Sequence, residues 1–377
     1  MNVLLLSAYA ARSHEHWRSA LMAMFPEWQW HALALPPRHF SWRVRGNALY
    51  WSRAERVCLE QPWDLVIATS MVDLATLRGL VPSLACRPSL LYFHENQFAY
   101  PAAPGRETSL EAQVVSLYSA LAADRIAFNS EFNRRTFLSG CAALLEKLPD
   151  FVPVGVVDDL RSRSDVLPVP VDPDRRDVEP LWPGTERDGG MSPLRIVWVG
   201  RFEWDKGPDR LLGLLRQAEA RGLNYELAMI GQQFRNVPTD IQAVKRHFSH
   251  RLVQFGNVAS TDRYKRYLAG ADIVLSTAVH EFQGLAVMEA VQEGCVPLLP
   301  NRLSYPEVFD ARFLYASHCS DLQQEARAAV DLLMELGEGV RTGTLSAPSL
   351  ASYESAALRI KYDASLKQLS GIASLEQ

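Results

Sequence analysis

Short apolar runs alternate with amphipathic stretches along most of the 377 residues, which predicts repeated strand–helix units. The clearest unit lies between Ala271 and Pro300. Residues 272–277 form an apolar, β-branched run that is typical of a buried strand. Apolar residues at helical spacing follow: Leu285, Val287, Met288 and Val291. Gly294 then suits a left-handed helix terminus, so the turn before Leu285 joins a strand's carboxyl end to a helix.

The same pattern recurs in both halves of the chain. It predicts further buried strands at 2–7, 64–69, 89–93, 125–128, 194–199, 226–230 and 252–255. Helical periodicity fills most of the intervals between these strands. Strands that alternate with helices favour parallel sheets. We therefore predict an α/β protein.

One segment interrupts the alternation. Residues 172–193 are rich in Pro, Gly, Asp and Arg and show no periodicity, which is typical of a domain boundary. We predict a first domain at 1–171, a linker at 172–193 and a second domain at 194–348. The tail, 349–377, is predicted to contain an amphipathic helix with four apolar residues: Ala357, Ile360, Leu366 and Leu369.

Composition narrows the class of protein. A formal net charge of −4 gives no global basic field, so any contact with nucleic acid has to come from a local patch. The N-terminal apolar run lacks a basic segment before it, which favours a first strand over a signal peptide. We expect a cytoplasmic protein without a membrane span, of unknown oligomeric state. Its cysteines follow no disulfide or metal spacing: Cys58, Cys86, Cys141, Cys295 and Cys319.

Two polar turns follow predicted strands of the second domain. The turn at 280–284 carries Glu281, and Glu289 follows after seven intervening residues. Carboxylates at this edge of a sheet can accept hydrogen bonds from sugar hydroxyls, and a helix N-terminus attracts anions. The turn at 200–208 carries Arg201 and Lys206, which suit a diphosphate. The alternative in both places is a set of ordinary solvated charges.

Polar residues also follow two predicted strands of the first domain. His94, Glu95 and Asn96 follow the strand at 89–93. A histidine here can bind a sugar or move a proton, whereas the alternative is a cluster that caps loop amides. His14 lies after the first strand, where it can touch an acceptor or be merely structural. Ser13 beside it is predicted to cap the first helix.

Residues 35–53 interleave cations with aromatic rings. The cations are Arg38, Arg43, Arg45 and Arg53, and the rings are His39, Phe40, Trp42, Tyr50 and Trp51. Guanidinium groups and rings can bind phosphates and stack on bases of RNA loops. The alternative, which composition alone favours, is an amphipathic segment whose rings enter the core while its arginines stay solvated.

Five segments together resemble a known family. They are SAYAARSHEHW, LPPRHFSWRVRGNALYWS, YFHENQFAYP, GRFEWDKGP and HEFQGLAVMEA. The E-x7-E spacing is similar to that of the family 4 retaining glycosyltransferases in general. The segments HENQxxYP and P-R-x-x-x-W-R-x-R are narrower. With them, the chain resembles from end to end the tRNA-queuosine mannosyltransferase family, which has bacterial and animal members.

This resemblance implies a GT-B fold, in which two Rossmann-like domains with parallel sheets face each other across a cleft and the last helix crosses back to the first domain. It implies transfer of mannose from GDP-mannose to the cyclopentenediol of queuosine in the tRNA anticodon, with α configuration retained. No metal and no other cofactor is implied, because cationic side chains and a helix N-terminus take the place of a divalent ion.

The resemblance also implies roles for particular residues. The donor would be bound by Arg201, Lys206, Glu281, Phe282, Gln283, Gly284, Leu285 and Glu289. Within that set, Arg201 and Lys206 would hold the diphosphate, Glu281 the sugar and Glu289 the ribose. His94 would lie beside the sugar and join Arg201, Lys206 and Glu281 as a catalytic residue. The queuosine-containing tRNA would be bound by Arg12, Ser13, His14, Trp42, Arg43, Arg45, Glu95 and Asn96.

Two departures and two alternatives accompany the resemblance. Ala11-Arg12 stand where animal members carry Gly-Gly, and Gln283 stands where relatives often have Phe or Gly. One alternative is a family 4 transferase that acts on a lipid or saccharide of the cell envelope. The other is a non-catalytic nucleotide-sugar or RNA-binding module, against which the complete set of motif residues argues.

Overall fold

A computed structural model describes residues 1–100, 109–173, 178–183, 192–233 and 236–370. The chain forms two compact units. The first comprises Met1–Pro170 together with Ser352–Gln377, and the second comprises Val171–Ala351. The C-terminal segment thus belongs to the first unit, although it follows the second along the chain.

Within the described residues, the first unit contains a six-stranded parallel sheet with the order β2-β1-β3-β4-β5-β6. Its strands are β1 (Asn2–Ser7), β2 (Gln29–Ala34), β3 (Leu65–Thr69), β4 (Ser89–Phe93), β5 (Arg125–Phe128) and β6 (Ser164–Val166). The strands β3 and β4 are buried at every position, since helices cover both faces of the sheet. This burial explains why they appear in the sequence as continuous apolar runs.

Helices connect these strands. They are α1 (Arg12–Met24), α2 (Phe40–Ala54), α3 (Arg56–Leu59), α4 (Leu74–Leu80), α5 (Pro82–Ala85), α6 (Leu110–Ala122), α7 (Glu131–Leu145) and α8 (Val156–Ser162). Ser109 and Ser130 cap α6 and α7 by accepting hydrogen bonds from backbone N–H groups. The predicted cap at Ser13 is wrong: α1 begins at Arg12, and Ala11 occupies the N-cap position.

The described part of the second unit contains a parallel sheet with the order β12-β11-β10-β7-β8-β9. The strands are β7 (Leu194–Val199), β8 (Tyr225–Ile230), β9 (Leu252–Gly256), β10 (Ile273–Leu275), β11 (Val296–Pro300) and β12 (Leu314–Tyr315). The helices are α9 (Pro208–Ala220), α10 (Thr239–His247), α11 (Thr261–Ala269), α12 (Leu285–Gln292), α13 (Tyr305–Val308) and α14 (Leu322–Arg341). Two parallel sheets confirm the predicted α/β class.

The predicted linker is partly a packed segment of the second unit. Residues 174–177 and 184–191 lie outside the described residues. Between them, the Trp182 indole is buried and donates a hydrogen bond to the Tyr267 carbonyl over 2.8 Å. A side chain on Gly270 would overlap this ring. The tryptophan therefore anchors the segment to the end of α11.

The last helix, α15 (Ser355–Ser370), begins later than the sequence predicted. Its buried face consists of Leu358, Tyr362, Ser365 and Leu366. The predicted apolar residues Ala357 and Ile360 are exposed instead. The Tyr362 hydroxyl accepts a hydrogen bond from the Trp17 indole over 2.9 Å, so α15 is tied to α1 within the first unit.

Several elements were not predicted. The strands β2, β6, β11 and β12 were not predicted from the hydrophobic pattern, and residues 151–171, for which no strand or helix was predicted, contain α8 and β6. The strands β2, β6 and β12 lie at the edges of their sheets or are very short. They form because they pair with a neighbouring strand, and their sequences contain no long apolar run that would predict them. None of the described helices is long and apolar enough to cross a membrane.

Candidate functional site

The main cluster of charged residues lies where the strand order of the second sheet reverses. The first strand of this unit, β7, lies between β8 and β10. In open α/β sheets, the crevice outside the carboxyl ends of such strands is the usual binding site. Arg201 and Lys206 follow β7, and Glu281 follows β10. The topology therefore brings the two predicted turns to one place.

Lys206 joins these turns. Its Nζ lies 3.2 Å from Glu281 Oε2 and donates to the His280 carbonyl over 3.1 Å. The same Nζ lies 3.3 Å from Asp205 Oδ2. Burial opposes the charge on Lys206, but Glu281 and Asp205 outweigh it and raise the pKa of the ammonium group. Burial likewise opposes the charge on Glu281, but Lys206 lowers the pKa of that carboxyl. Both groups are therefore charged at neutral pH.

Arg201 lies on the outer side of the same cluster. Its guanidinium group contacts Glu203 Oε2 over 3.0 Å and Asp205 Oδ2 over 3.5 Å. Asp205 is buried between the two cations, and its carbonyl accepts hydrogen bonds from the N–H groups of Val279 and His280. Asp205 thus fixes both turns relative to each other. The two cations are placed side by side, as the binding of a diphosphate requires.

Gly207 lets the turns approach closely. It adopts a left-handed conformation with φ of 64°, and a side chain there would overlap the Thr277 carbonyl oxygen. The Thr277 hydroxyl in turn donates a hydrogen bond to the Lys206 carbonyl over 2.9 Å. Only a glycine allows both the backbone conformation and this contact.

We expect Gly207→Ala to destabilise the protein more than Gly222→Ala. Gly222 is also left-handed, with φ of 67°, but a side chain there meets nothing within 4 Å. Gly222→Ala should cost only the conformational penalty, about 1 kcal/mol. Gly207→Ala should cost at least about twice as much, because the overlap with Thr277 adds to that penalty. Urea unfolding of both variants measures the difference, and equal losses would contradict this account of the turn.

The N-terminus of α12 offers backbone N–H groups, and not side chains, to a ligand. Gly284, at the N-cap, has φ of 83° and packs against the Tyr305 ring. Phe282 and Gln283 are buried, and the Gln283 amide points to the Met288 sulfur over 3.6 Å. Helix N-termini carry N–H groups without intrahelical partners and a partial positive charge. A donor role for Gln283 and for Leu285, the first residue of α12, would therefore rest on their backbone N–H groups.

Glu289 lies within α12 and is half-buried. The Tyr264 hydroxyl donates a hydrogen bond to Glu289 Oε2 over 2.9 Å. This bond leaves the other carboxylate oxygen to accept further hydrogen bonds, as a ribose would require. The carboxylate is therefore held in one orientation by a residue of α11.

The residues that support the cluster were not predicted from the sequence. Asp205 and Tyr264 were not singled out, and neither was the buried network behind the second turn. In that network, Arg302 forms a bidentate pair with Glu325, over 2.8 and 3.0 Å, and donates to the Ala278 carbonyl over 2.8 Å. Asp205 is adjacent to Lys206 in sequence, which was a usable signal. The other residues depend on tertiary contacts.

In the first unit, His94 and His14 form a buried pair. Their rings stack with centroids 4.0 Å apart and planes 16° apart. The rings of Trp17 and Tyr92 lie edge-on to His94, with centroids at 4.9 and 4.8 Å. His94 Nε2 is buried and has no hydrogen-bond partner among the described residues. Such an atom can bond to a ligand hydroxyl.

Both imidazoles are neutral at physiological pH. Burial lowers the pKa of His14 to about 4. Burial, with the neighbouring His14, also lowers the pKa of His94 well below its usual value. A neutral imidazole offers one N–H donor and one acceptor nitrogen rather than a positive charge. The pair suits hydrogen bonding to a neutral hydroxyl better than the binding of a phosphate.

As the pH is lowered, we expect the free energy of unfolding of the wild type to decrease more steeply than that of His14→Phe. An unfolded histidine has a pKa of about 6.5. Between that value and about 4 only the unfolded chain binds the proton at His14, so lower pH favours unfolding. The wild type should lose about 2 kcal/mol more than the variant between pH 7 and pH 5. Urea unfolding at both pH values tests this, and parallel losses would contradict the neutral assignment.

The side chain of Asn96 does not fit its predicted role in acceptor binding. Its amide N–H groups donate to Asn133 and Thr136, and its oxygen accepts from the N–H groups of Phe98 and Ala99. It is completely buried. Asn96 therefore holds the loop after β4, as the alternative proposed. Glu95 is half-buried in that loop, and its carbonyl accepts a hydrogen bond from the Ser70 hydroxyl.

The remaining predicted acceptor residues lie on α1 and α2. Arg12 and Ser13 are exposed in the first turn of α1. On α2, Trp42 is exposed and Arg43 is half-buried. Arg45 contacts Asp73 over 2.8 Å and Glu111 over 3.6 Å. Trp51 enters the core as the alternative predicted, whereas Trp42 and Tyr50 remain outside.

Comparisons with known proteins cover both units. Residues 2–171 match the family described as tRNA-queuosine alpha-mannosyltransferase N-terminal, and residues 190–339 match glycosyl transferases group 1. A Drosophila melanogaster protein named tRNA-queuosine alpha-mannosyltransferase is 31% identical over 316 residues, which covers 83% of each chain. This chain belongs to the tRNA-queuosine alpha-mannosyltransferase family.

Solved structures agree on the fold. Anabaena Alr3699/HepE in complex with UDP-glucose has a TM-score of 0.65 at 12% identity, covering 98% of this chain and 100% of the other. An E. coli structure described as trehalose-6-phosphate bound with UDP-2-fluoro glucose has a TM-score of 0.64 at 12% identity, covering 98% and 99%. At these identities the likeness concerns the fold, and it confirms the GT-B class.

As a member of this mannosyltransferase family with a group 1 domain, the chain is a glycosyltransferase. The structure brings together Arg201, Lys206 and Glu281, with Glu289 on the helix that follows. Among the described residues, no group of three or more His, Cys, Asp or Glu side chains is arranged to hold a metal ion.

Proposed function

We propose that this glycosyltransferase moves mannose from GDP-mannose to the cyclopentenediol of queuosine in the tRNA anticodon, with α configuration retained. The observation that carries the proposal is the sequence match to the Drosophila enzyme over 83% of the chain. The charged cluster at the switch point of the second sheet supports a nucleotide-sugar donor. The segment that contains α2 has several arginines and no acidic residue, which supports a nucleic-acid acceptor.

Departure of the nucleoside diphosphate is the step that this cluster assists. Arg201 and Lys206 lie beside each other and would stabilise the negative charge that grows on the diphosphate as the glycosidic bond breaks. The N-terminus of α12 adds a partial positive charge. These groups supply the positive charge for which a divalent ion would otherwise be needed. No cofactor is part of the proposal.

Glu281 and Glu289 would bind the donor's hydroxyl groups. Glu281 is ionised and held by Lys206, so it would accept hydrogen bonds from the transferred sugar without forming a covalent bond. Glu289, oriented by Tyr264, would accept from the ribose. The queuosine hydroxyl would then attack the anomeric carbon from the face that the diphosphate leaves. Its proton would pass to a departing phosphate oxygen.

The acceptor would be recognised by residues of the first unit. Trp42, Arg43 and Arg45 would contact the anticodon loop, and Arg12 with Ser13 would lie in the segment that approaches the modified base. His94 Nε2, buried and without a protein partner in the described part of the chain, would bond to a sugar hydroxyl. His14 would keep that imidazole in place through the ring stack.

Calorimetric titration tests the donor half of the proposal. The purified chain would be titrated with GDP, GDP-mannose, UDP and UDP-glucose under the same conditions. We expect GDP and GDP-mannose to bind and the uridine nucleotides to bind more weakly. Tight binding of UDP-glucose with no binding of GDP-mannose would contradict the donor assignment and leave the fold and the enzyme class unaffected.

A further inference from the structure

The helix α2 of the first unit has an exposed face, and the proposed contacts with the anticodon loop involve only part of it. On α2, Trp42, Gly46, Leu49 and Arg53 share a face, since they follow one another at intervals of four, three and four residues. Trp42 is 61% exposed and Leu49 53%, and Arg53 is exposed as well. Tyr50, 51% exposed, flanks this face. From Trp42 to Arg53 the face is about 16 Å long.

Gly46 determines how Trp42 lies on this face. A side chain at Gly46 would come within 2.8 Å of Nε1 and of Cζ2 of the indole. The indole therefore lies directly against the helix backbone, in space that any other residue at position 46 would occupy. Glycine inside a helix costs about 1 kcal/mol relative to alanine. At this position it permits a contact that holds the ring against α2 with much of its surface exposed.

The charge around this face selects the kind of partner. Between Glu27 and Glu55 the chain contains four arginines and no acidic residue, although the net charge of the whole protein is −4. Within α2 the basic residues are Arg43, Arg45 and Arg53. Asp73 and Glu111, which contact Arg45, come from other segments. An anionic partner is favoured, and exposed aromatic rings beside arginines suit nucleotides whose bases are unpaired.

We propose that the outer face of α2 is a stacking platform for single-stranded RNA, with Gly46 as the residue that positions Trp42. In this arrangement an unpaired base stacks on the exposed face of the indole. Arg45 and Arg53, about one turn and about three turns beyond Trp42 along the helix, contact phosphates of the nucleotides that continue along α2 from the stacked base. The inference deepens the proposed function and rests on it, because the RNA would be the loop of the acceptor tRNA. Gly46 and Arg53 gain roles that the sequence motif did not give them.

The test compares two glycine substitutions. Gly46→Ala should force the indole away from α2, although the substitution itself removes no charge and no aromatic ring. Gly79→Ala, in α4, is the matched control, because a side chain there meets nothing within 4 Å. Fluorescence anisotropy would measure binding of a labelled RNA hairpin with an unpaired loop, and of a fully paired duplex of the same composition.

We expect Gly46→Ala and Trp42→Ala to weaken binding of the hairpin about tenfold, as the loss of one stacked base implies. Trp42→Phe should retain part of the affinity, and Gly79→Ala should bind as the wild type does. Arg53→Ala should reduce the salt dependence by about one ion. The affinity for the duplex should change little when Trp42 or Gly46 is substituted. Thermal melting of Gly46→Ala should show no loss of stability, since alanine favours the helix.

Several outcomes would overturn the inference. Wild-type affinity of both Gly46→Ala and Trp42→Ala for the hairpin would exclude a stacking platform. Equal losses for hairpin and duplex would point to general electrostatics. If the variants bound RNA normally but lost binding to anionic phospholipid vesicles, the face would belong to a membrane contact. If the wild-type chain bound no RNA and transferred mannose to another acceptor, the proposed function itself would fall. Normal mannosylation of tRNA by both variants, with normal hairpin binding, would remove only the platform.

Discussion

Replacement of Arg201 by alanine is expected to lower kcat/KM for glycosyl transfer about 100- to 1000-fold, with little change in the melting temperature. A preorganised charge that acts on the leaving group typically contributes this much to the rate. The side chain of Arg201 is 47% exposed; after the change its partner Glu203 can be solvated, and the buried Asp205 keeps Lys206 as its cation. Initial rates of transfer, together with thermal melting, measure both effects.

Lys206→Ala provides an informative contrast. The side chain of Lys206 is only 15% exposed and lies between Asp205 and Glu281. Its removal leaves Glu281 without its cation and Asp205 with Arg201 alone, and loss of one partner of a buried pair typically costs about 3–5 kcal/mol. We therefore expect Lys206→Ala to lose activity and stability together. Arg216→Ala, on the exposed face of α9, is the control and should change neither. Normal turnover in Arg201→Ala would contradict the diphosphate assignment.

Glu281→Gln is expected to lower kcat/KM about 10- to 100-fold. The amide keeps the shape of the side chain but loses the charge, and hydrogen bonds to charged groups are worth about 1.5–3 kcal/mol. A loss of binding affinity should be measured for GDP-mannose and not for GDP alone. GDP should bind the variant at least as well as the wild type, because a negative charge 3.2 Å from Lys206 Nζ has been removed.

Titration of GDP and GDP-mannose into wild type and Glu281→Gln separates these effects. The matched control is Glu335→Gln, on an exposed part of α14. If Glu281→Gln weakened GDP and GDP-mannose equally, Glu281 would act on the diphosphate cluster and not on the sugar. If neither affinity nor rate changed, Glu281 would have no direct role in the reaction.

The residues at the strand ends could be predicted from sequence for a physical reason. A parallel sheet places all its carboxyl ends at one edge, so a polar turn after an apolar strand indicates the functional edge. Arg201, Lys206 and Glu281 lie in such turns, and the structure brings them together. It did not identify Tyr264 as the partner of Glu289, because that hydrogen bond depends on how α11 packs against α12.

The first unit illustrates the same limit. His14 and His94 were each singled out, but their ring stack follows only from the packing of α1 beside β4. Asn96 looked like a binding residue because it follows the same strand as His94. Its amide N–H groups instead donate hydrogen bonds to Asn133 and Thr136, which belong to α7. The sequence could not distinguish a side chain of this loop that is available to a ligand from one that supports the loop.

The measurement that tests the central claim most directly is mass spectrometry of nucleosides from treated tRNA. Queuosine-containing and queuosine-free tRNA would be incubated separately with the purified chain and a panel of GDP- and UDP-sugars, and then digested. We predict the gain of one hexose on queuosine, only with GDP-mannose and only in the queuosine-containing tRNA. No gain on queuosine with any donor, or a gain on another nucleoside, would contradict the proposed acceptor.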